Sequence, residues 1–260
     1  MTNFATDKVS FIEVGQADAM RRIAVRAREG DLPGLFWLSG FKSDMQGTKA
    51  VALDAWAAER KRACIRFDYS GTGESSGGFV DGTIGRWLEE SIAVFEQFCV
   101  GPQVVIGSSM GGWMALLLAR ELAKRPAPRA SLAGLVLIAP APDFTEELMW
   151  KAFSPEIRRQ IETTGMWLRP SDYGEPYPIT RNLIEEGRRH LLLGGAIEVG
   201  CPVHILQGAQ DPDVPWKHAF ALMHRLPADD VVLTMIQDGD HRLSRPRDIA
   251  RILAAVAEMG

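Results

Sequence analysis

Gln103-Val104-Val105-Ile106-Gly107-Ser108-Ser109-Met110-Gly111-Gly112-Trp113-Met114-Ala115-Leu116-Leu117-Leu118 is the stretch that decides the fold of this 260-residue chain. It opens as a short apolar run that reads as a strand and closes as an amphipathic run that reads as a helix. Between the two lies Gly-x-Ser-x-Gly at 107–111. A strand can turn so sharply into a helix only if Ser109 takes a strained backbone, with its hydroxyl standing clear of the sheet. The flanking glycines are needed because side chains there would strike the neighbouring strand and helix. The helix begins just past the serine, so its free N–H groups and positive dipole end point to where an oxyanion would form. A glycine-rich surface turn with a spare serine would spell the same five letters. The strand before it, the helix after it and the order of the residues downstream argue against that plainer reading.

Outward from this turn, apolar runs and alternation predict strands over 9–14, 23–28, 35–38, 63–67, 135–138, 203–206 and 231–236. Helical patterns are predicted near 48–60, 84–99, 217–226 and 246–258. Pro126 and Pro128 break the chain after the helix that follows Ser109. Strands alternating with helices imply an α/β fold. A mostly parallel central sheet is expected, with antiparallel N-terminal strands and helices on both faces. Residues 143–200 exceed one simple crossover. They are expected to hold about three helical stretches broken by Pro155, Pro170, Pro176 and Pro178. An insertion at this place would lie over the carboxyl edge of the sheet as a small helical cap on one domain spanning 1–260.

A serine hydroxyl is a poor nucleophile until a histidine takes its proton and a carboxylate fixes that histidine's tautomer. Of the five histidines, His241 follows the last predicted strand, in Asp238-Gly239-Asp240-His241-Arg242. His204 falls inside a strand and reads as a packed core residue. His190, His218 and His224 fall on helical patterns, where a solvent-facing or half-buried place is the default. Asp211, directly after a strand, is the first candidate acid. Asp143, after the preceding strand, is its rival. Asp213 reads as an Asx-type turn before Val214, and Asp240 adjoins His241 too closely to reach its far ring nitrogen. The backbone N–H groups of Met110 and of Phe41, in Ser39-Gly40-Phe41, are placed to hold an oxyanion. The glycines at 68–75 lack the Lys-Ser/Thr of a phosphate loop, so that loop reads as a structural one beside the site.

Composition limits the alternatives. Net charge is −4 and no basic run is present, which points away from nucleic acid and anionic membranes. No apolar stretch approaches the ~20 residues of a membrane span. Cys64, Cys99 and Cys201 are scattered without metal or redox spacing and read as reduced residues in or near the core. No His, Cys and carboxylate spacing suggests a metal, and no cofactor is expected. The first residues lack the zones of a signal peptide, and a cytoplasmic location is expected. Oligomeric state is not legible.

Gly-x-Ser-x-Gly at 107–111, Asp-x-x-Gly-x-Gly-x-Ser at 68–75, Gly-x-x-Asp-x-x-Val-Pro at 208–215 and Asp-His at 240–241 resemble the α/β-hydrolase superfamily over nearly the whole chain. Gly47-Thr48-Lys49-Ala50, Cys64-Ile65-Arg66-Phe67-Asp68-Tyr69-Ser70-Gly71, Val214-Pro215-Trp216 and Gly165-Met166-Trp167-Leu168-Arg169-Pro170-Ser171 are similar to a mitochondrial subgroup of palmitoyl-protein thioesterases and acyl-glucuronide esterases. The resemblance implies catalytic roles for Ser109, Asp211 and His241. It departs at Ser39-Gly40, where the superfamily often has His-Gly; the backbone donor of Phe41 stays, without help from a histidine side chain. No Arg-rich leader is seen, so a mitochondrial location is not carried over. The expected activity is a serine hydrolase of esters or thioesters, acting on a small-molecule or acylated-protein substrate with an apolar acyl group. Trp150, Phe153, Met166 and Trp167 are candidates to wall the acyl pocket. Rival expectations are a general carboxylesterase and, from another class, a ligand receptor on the same scaffold. Superfamily relatives with dehalogenase or epoxide-hydrolase chemistry place an aspartate where Ser109 stands.

Overall fold

The N-terminal alternation forms an antiparallel ribbon, β1 (Ser10–Val14) against β2 (Arg21–Arg28). There follow β3 (Asp31–Leu38), α1 (Thr48–Glu59), β4 (Arg62–Phe67), α2 (Ile84–Phe98), β5 (Gly101–Ser108), α3 (Met110–Leu122) and β6 (Ala130–Ile138). Beyond them come α4 (Pro155–Thr164), β7 (Met166–Arg169), β8 (Tyr177–Thr180), α5 (Arg181–Gly187), β9 (Val203–Gly208), α6 (Trp216–Met223), β10 (Val231–Ile236) and α7 (Pro246–Glu258). These elements come from a computed structural model that describes residues 8–125, 129–170, 175–226 and 230–260. The readings that fall on residues 1–7, Pro126, Pro128 and Ser171 lie outside the described residues.

One sheet runs in the order β1-β2-β4-β3-β5-β6-β9-β10. The strands from β4 to β10 pair in parallel, and β2 runs antiparallel to both β1 and β4. The alternation of side chains along each strand splits the core in two. Leu35, Val104, Ile106, Val136 and Ile138 face α1 and α7. Phe36, Val105, Leu135 and Leu137 face α2 and α3. Strands covered on both faces are apolar throughout, which is why the central runs show no clean alternation.

Two local expectations change. The helix after Ser109 was read as amphipathic, yet α3 is buried from Met110 through Ala119. The sheet covers one side; on the other, the Trp113 indole donates to the His190 carbonyl and its ring meets Phe144 edge-on at 5.7 Å. The segment 143–200 is not all helical either. Pro155 opens α4 instead of breaking it, with the Ser154 hydroxyl accepting from the Ile157 N–H. Gly165, at φ +85°, ends that helix. The chain then pairs as the antiparallel ribbon β7–β8, where Pro178 stands in a two-stranded edge and forfeits little. All three cysteines are buried as thiols, as read from the sequence.

Candidate active site

Four loops meet at the carboxyl ends of neighbouring strands, where open α/β sheets place their sites. Ser109 follows β5, Phe41 follows β3, Asp211 follows β9 and His241 follows β10. Ser109 lies at φ 54°, ψ −115°, the strained turn expected of it. Its N–H donates to the Ile138 carbonyl at 2.8 Å, and its own carbonyl accepts from Gly112 and Ala141. A Cβ on Gly107 would come within 2.2 Å of the Gly111 oxygen, and one on Gly111 within 2.0 Å of the Leu38 oxygen. Both positions therefore require glycine.

His241 Nδ1 lies 2.8 Å from Asp211 Oδ2, and its Nε2 lies 3.1 Å from Ser109 Oγ. A carboxylate can only accept, so Nδ1 carries the proton and Nε2 is free to accept from the serine hydroxyl. The other oxygen of Asp211 accepts the N–H groups of Asp213 and Val214 at 2.9 and 2.8 Å. The Asx-type turn is thus made by Asp211 itself and not by Asp213. Gln207, fully buried at the end of β9, adds its amide to Asp211 Oδ2 at 3.2 Å and to the Val214 carbonyl at 3.0 Å. That residue was missed from the sequence, although a polar side chain ending an apolar strand was a usable signal.

Asp143 is engaged elsewhere. Its carboxylate accepts the N–H groups of Leu192 and Leu193, between 2.8 and 3.0 Å. Burial raises its pKa, while those two N–H groups act the other way. Asp240 accepts from the Leu243 N–H at 2.9 Å, closing a tight turn around His241. His204 is buried against Thr234, at 2.8 Å, as a core histidine. His218 is buried rather than solvent-facing, with Nε2 2.8 Å from the Pro142 carbonyl, and desolvation lowers its pKa. Asp211, Asp213 and His241 bring donor atoms within 4.8 Å of one another, the composition of a metal site. The hydrogen bonds made by Asp211 already account for the grouping.

Met110 is the first residue of α3, so its N–H has no partner within the helix. The Ser39–Phe41 turn lies beside the serine: a Cβ on Gly40 would stand 3.5 Å from Ser109 Cβ. The Phe41 ring is held by Phe79, Trp87, Phe144 and Tyr177, with centroids 5.0 to 5.9 Å away. Phe144 and Tyr177 come from the 143–200 segment, so this segment meets the site through them. The four residues read as pocket walls sit differently. Trp150 has the guanidinium groups of Arg158 and Arg188 over its ring, Phe153 packs against Trp167, and Met166 is exposed. Lys42, Gly71–Gly73, Phe79 and Tyr177 help to line a cavity of about 340 Å³ next to Phe41. The glycine loop at 68–75 is built on buried Asp68, which accepts from the Met45 and Glu74 N–H groups.

Among the described residues no helix is long and apolar enough to cross a membrane. The chain is 33% identical over 239 residues to the human palmitoyl-protein thioesterase ABHD10, mitochondrial, covering 91% of this chain and 76% of that one. A solved structure of a putative hydrolase from Agrobacterium vitis matches with a TM-score of 0.95 at 48% identity, over 97% of this chain and 98% of that one. The mouse alpha/beta hydrolase domain-containing protein 10 matches with a TM-score of 0.84 at 32% identity, over 97% and 98%. The expected cytoplasmic location is corrected by these relatives, because the matching thioesterases are named as mitochondrial. The alpha/beta hydrolase family profile matches residues 32–252. With the strand–serine–helix turn and this sheet, the match makes the chain a hydrolase and a member of the alpha/beta hydrolase family.

Proposed function

We propose that the chain hydrolyses carboxylic esters or thioesters with an apolar acyl group, through a Ser109–His241–Asp211 triad and an acyl-enzyme. The observation that carries this reading is the continuous hydrogen-bond chain from Asp211 through His241 to Ser109, at 2.8 and 3.1 Å. Ser109 Oγ attacks the acyl carbonyl as its proton passes to His241 Nε2. Asp211 holds the ring and supports its charge. The Met110 and Phe41 N–H groups stabilise the oxyanion. When the tetrahedral intermediate collapses, the bond to the thiolate or alkoxide breaks, and the leaving group takes the proton from His241. Water then adds to the acyl-serine with His241 as base, and Ser109 is regenerated. The balance needs no cofactor.

Relatives named palmitoyl-protein thioesterases support a thioester of a fatty acyl group, carried on a protein or a small molecule, as the substrate. Acyl glucuronides are a second group of activated acyl donors that the same steps would cleave. A fluorophosphonate probe should label Ser109 alone. Ser109→Ala should abolish labelling and lower kcat by about 10³-fold or more, because triad members act as a unit. Full turnover by that variant would overturn the mechanism.

A further inference from the structure

Lys49 is a half-buried cation that the mechanism above leaves unused. It sits in the first turn of α1, far in sequence from the triad, yet its ammonium donates to the Arg242 carbonyl at 2.5 Å across 193 residues. Arg242 is the residue after His241, and Asp240 is the residue before it. The Lys49 ammonium also feels the Asp240 carboxylate. We infer that Lys49 is a positioning residue for His241, tethering the tripeptide that carries the imidazole to the first turn of α1.

The loop needs such a tether. Leu243 is held at φ 44°, an unfavourable backbone for a leucine, with its side chain fully buried. Gly239 packs against Gly208, where a Cβ would meet that backbone at 2.9 Å. Asp238 is tied outward to Arg245 and Arg247. These contacts fix the two ends of the loop. Between them, the Leu243 N–H to Asp240 bond closes the turn locally, while the Lys49 bond joins it to another element. Thr48, Asp240, Arg242, Ser244 and Arg245 line a pocket of about 310 Å³ here, so the His241 loop is not packed solid from this side. A charged donor on a carbonyl is the stronger kind of hydrogen bond, and a shift of His241 by about 1 Å would cost up to 10²-fold in rate.

The tether has a titration signature. Burial foremost, and the Arg242 guanidinium next, lower the Lys49 pKa to about 8, against a smaller opposing pull from Asp240. Those are the charged groups facing it from the His241 loop. Arg245, on the same pocket, is neutralised by Asp238 and Asp248. From about 8 up to its ordinary 10.5, the folded chain holds fewer protons on Lys49 than the unfolded chain. Through this group stability therefore rises with pH across that window, while the tether loses its charge and activity falls.

This assignment rests on His241 being the base. In Lys49→Met we expect kcat on a thioester to fall about tenfold to 10²-fold with KM little changed, and the His241 ring NMR signal to broaden into a second environment. Wild-type kcat should decline above pH ~8 without loss of fold. Lys49→Arg, whose guanidinium stays charged there, should restore most of kcat at neutral pH and remove that decline. Wild-type kcat in Lys49→Met, an unchanged His241 signal, or the same alkaline decline in Lys49→Arg would each overturn the tether. His241→Ala is scored separately: full turnover there overturns the base assignment, while the His241 signal in Lys49→Met still reads the tether.

Discussion

Asp211 divides its two oxygens between a turn and a ring, and this division makes its replacement informative. Oδ1 holds the Asp213 and Val214 N–H groups, and Oδ2 faces His241 Nδ1. In Asp211→Asn the remaining carbonyl can keep the turn, but the amide then presents N–H to Nδ1. The ring must adopt the other tautomer, with its proton on the side of Ser109. We expect kcat to fall by about 10⁴-fold with the fold intact. Asp143→Asn should change kcat far less, and should instead lower the urea midpoint by loosening Leu192 and Leu193. A crippled Asp143→Asn with an active Asp211→Asn would reassign the acid. The meeting of Ser109 and His241 was legible because each sits in a loop after a strand, in the chain order that the proposed chemistry would use. Asp211 was legible as first choice only, since the turn that separates it from Asp213 is a matter of side-chain direction. Lys49 stood in the sequence as part of a motif without a role, because its partner lies 193 residues away.

At the scale of elements, the turn into α3 and the end of α4 show two different demands for glycine. Gly111 needs space: a Cβ there would press on the Leu38 backbone at 2.0 Å, and backbone in mid-sheet cannot step aside. Gly165 needs only its positive φ, for nothing lies within 4 Å of a Cβ there. Gly111→Ala should therefore cost about 1–3 kcal/mol or more through overpacking, and should also displace Ser109 and cut activity. Gly165→Ala should cost about 1 kcal/mol and leave activity alone. Urea unfolding of the two variants, with turnover on the same samples, checks the contrast; equal losses would mean that the elbow yields. Strand and helix positions were readable where periodicity or turn chemistry was local. The readings of α3 and of 143–200 changed because their environment is tertiary. Trp113 is capped by Phe144 and by the His190 carbonyl, which no window around Trp113 contains. Pro170, Pro176 and Pro178 do not by themselves announce that β7 finds β8.

Taken whole, the molecule sets an aromatic cluster between its sheet and the 143–200 segment. Phe41 from the body is wedged between Phe79 and Trp87 on one side and Phe144 and Tyr177 from that segment on the other. We propose that 143–200 acts as a cap on a single domain, and that this cluster borders the acyl site. Its position follows from the sheet, because β3 and β5 are neighbours and the turns after them carry Phe41 and Ser109. An acyl chain running from the acyl carbonyl on Ser109 Oγ along such a wall would gain ~0.8 kcal/mol for each methylene it buries. If that gain is realised in the transition state, kcat/KM rises about threefold to fourfold per added CH₂ until the space is full. We therefore expect a graded increase from acetyl towards longer thioesters, then a plateau. Phe144→Ala should lower the slope of that increase, and Trp150→Ala, which removes a ring lying under Arg158 and Arg188, should leave the slope unchanged. Measuring kcat/KM on a homologous series from acetyl to palmitoyl decides it. A decline from the shortest ester onward would mean that the segment closes the site against acyl chains, and an unaltered slope in Phe144→Ala with a reduced one in Trp150→Ala would move the acyl wall to the far side of the cap.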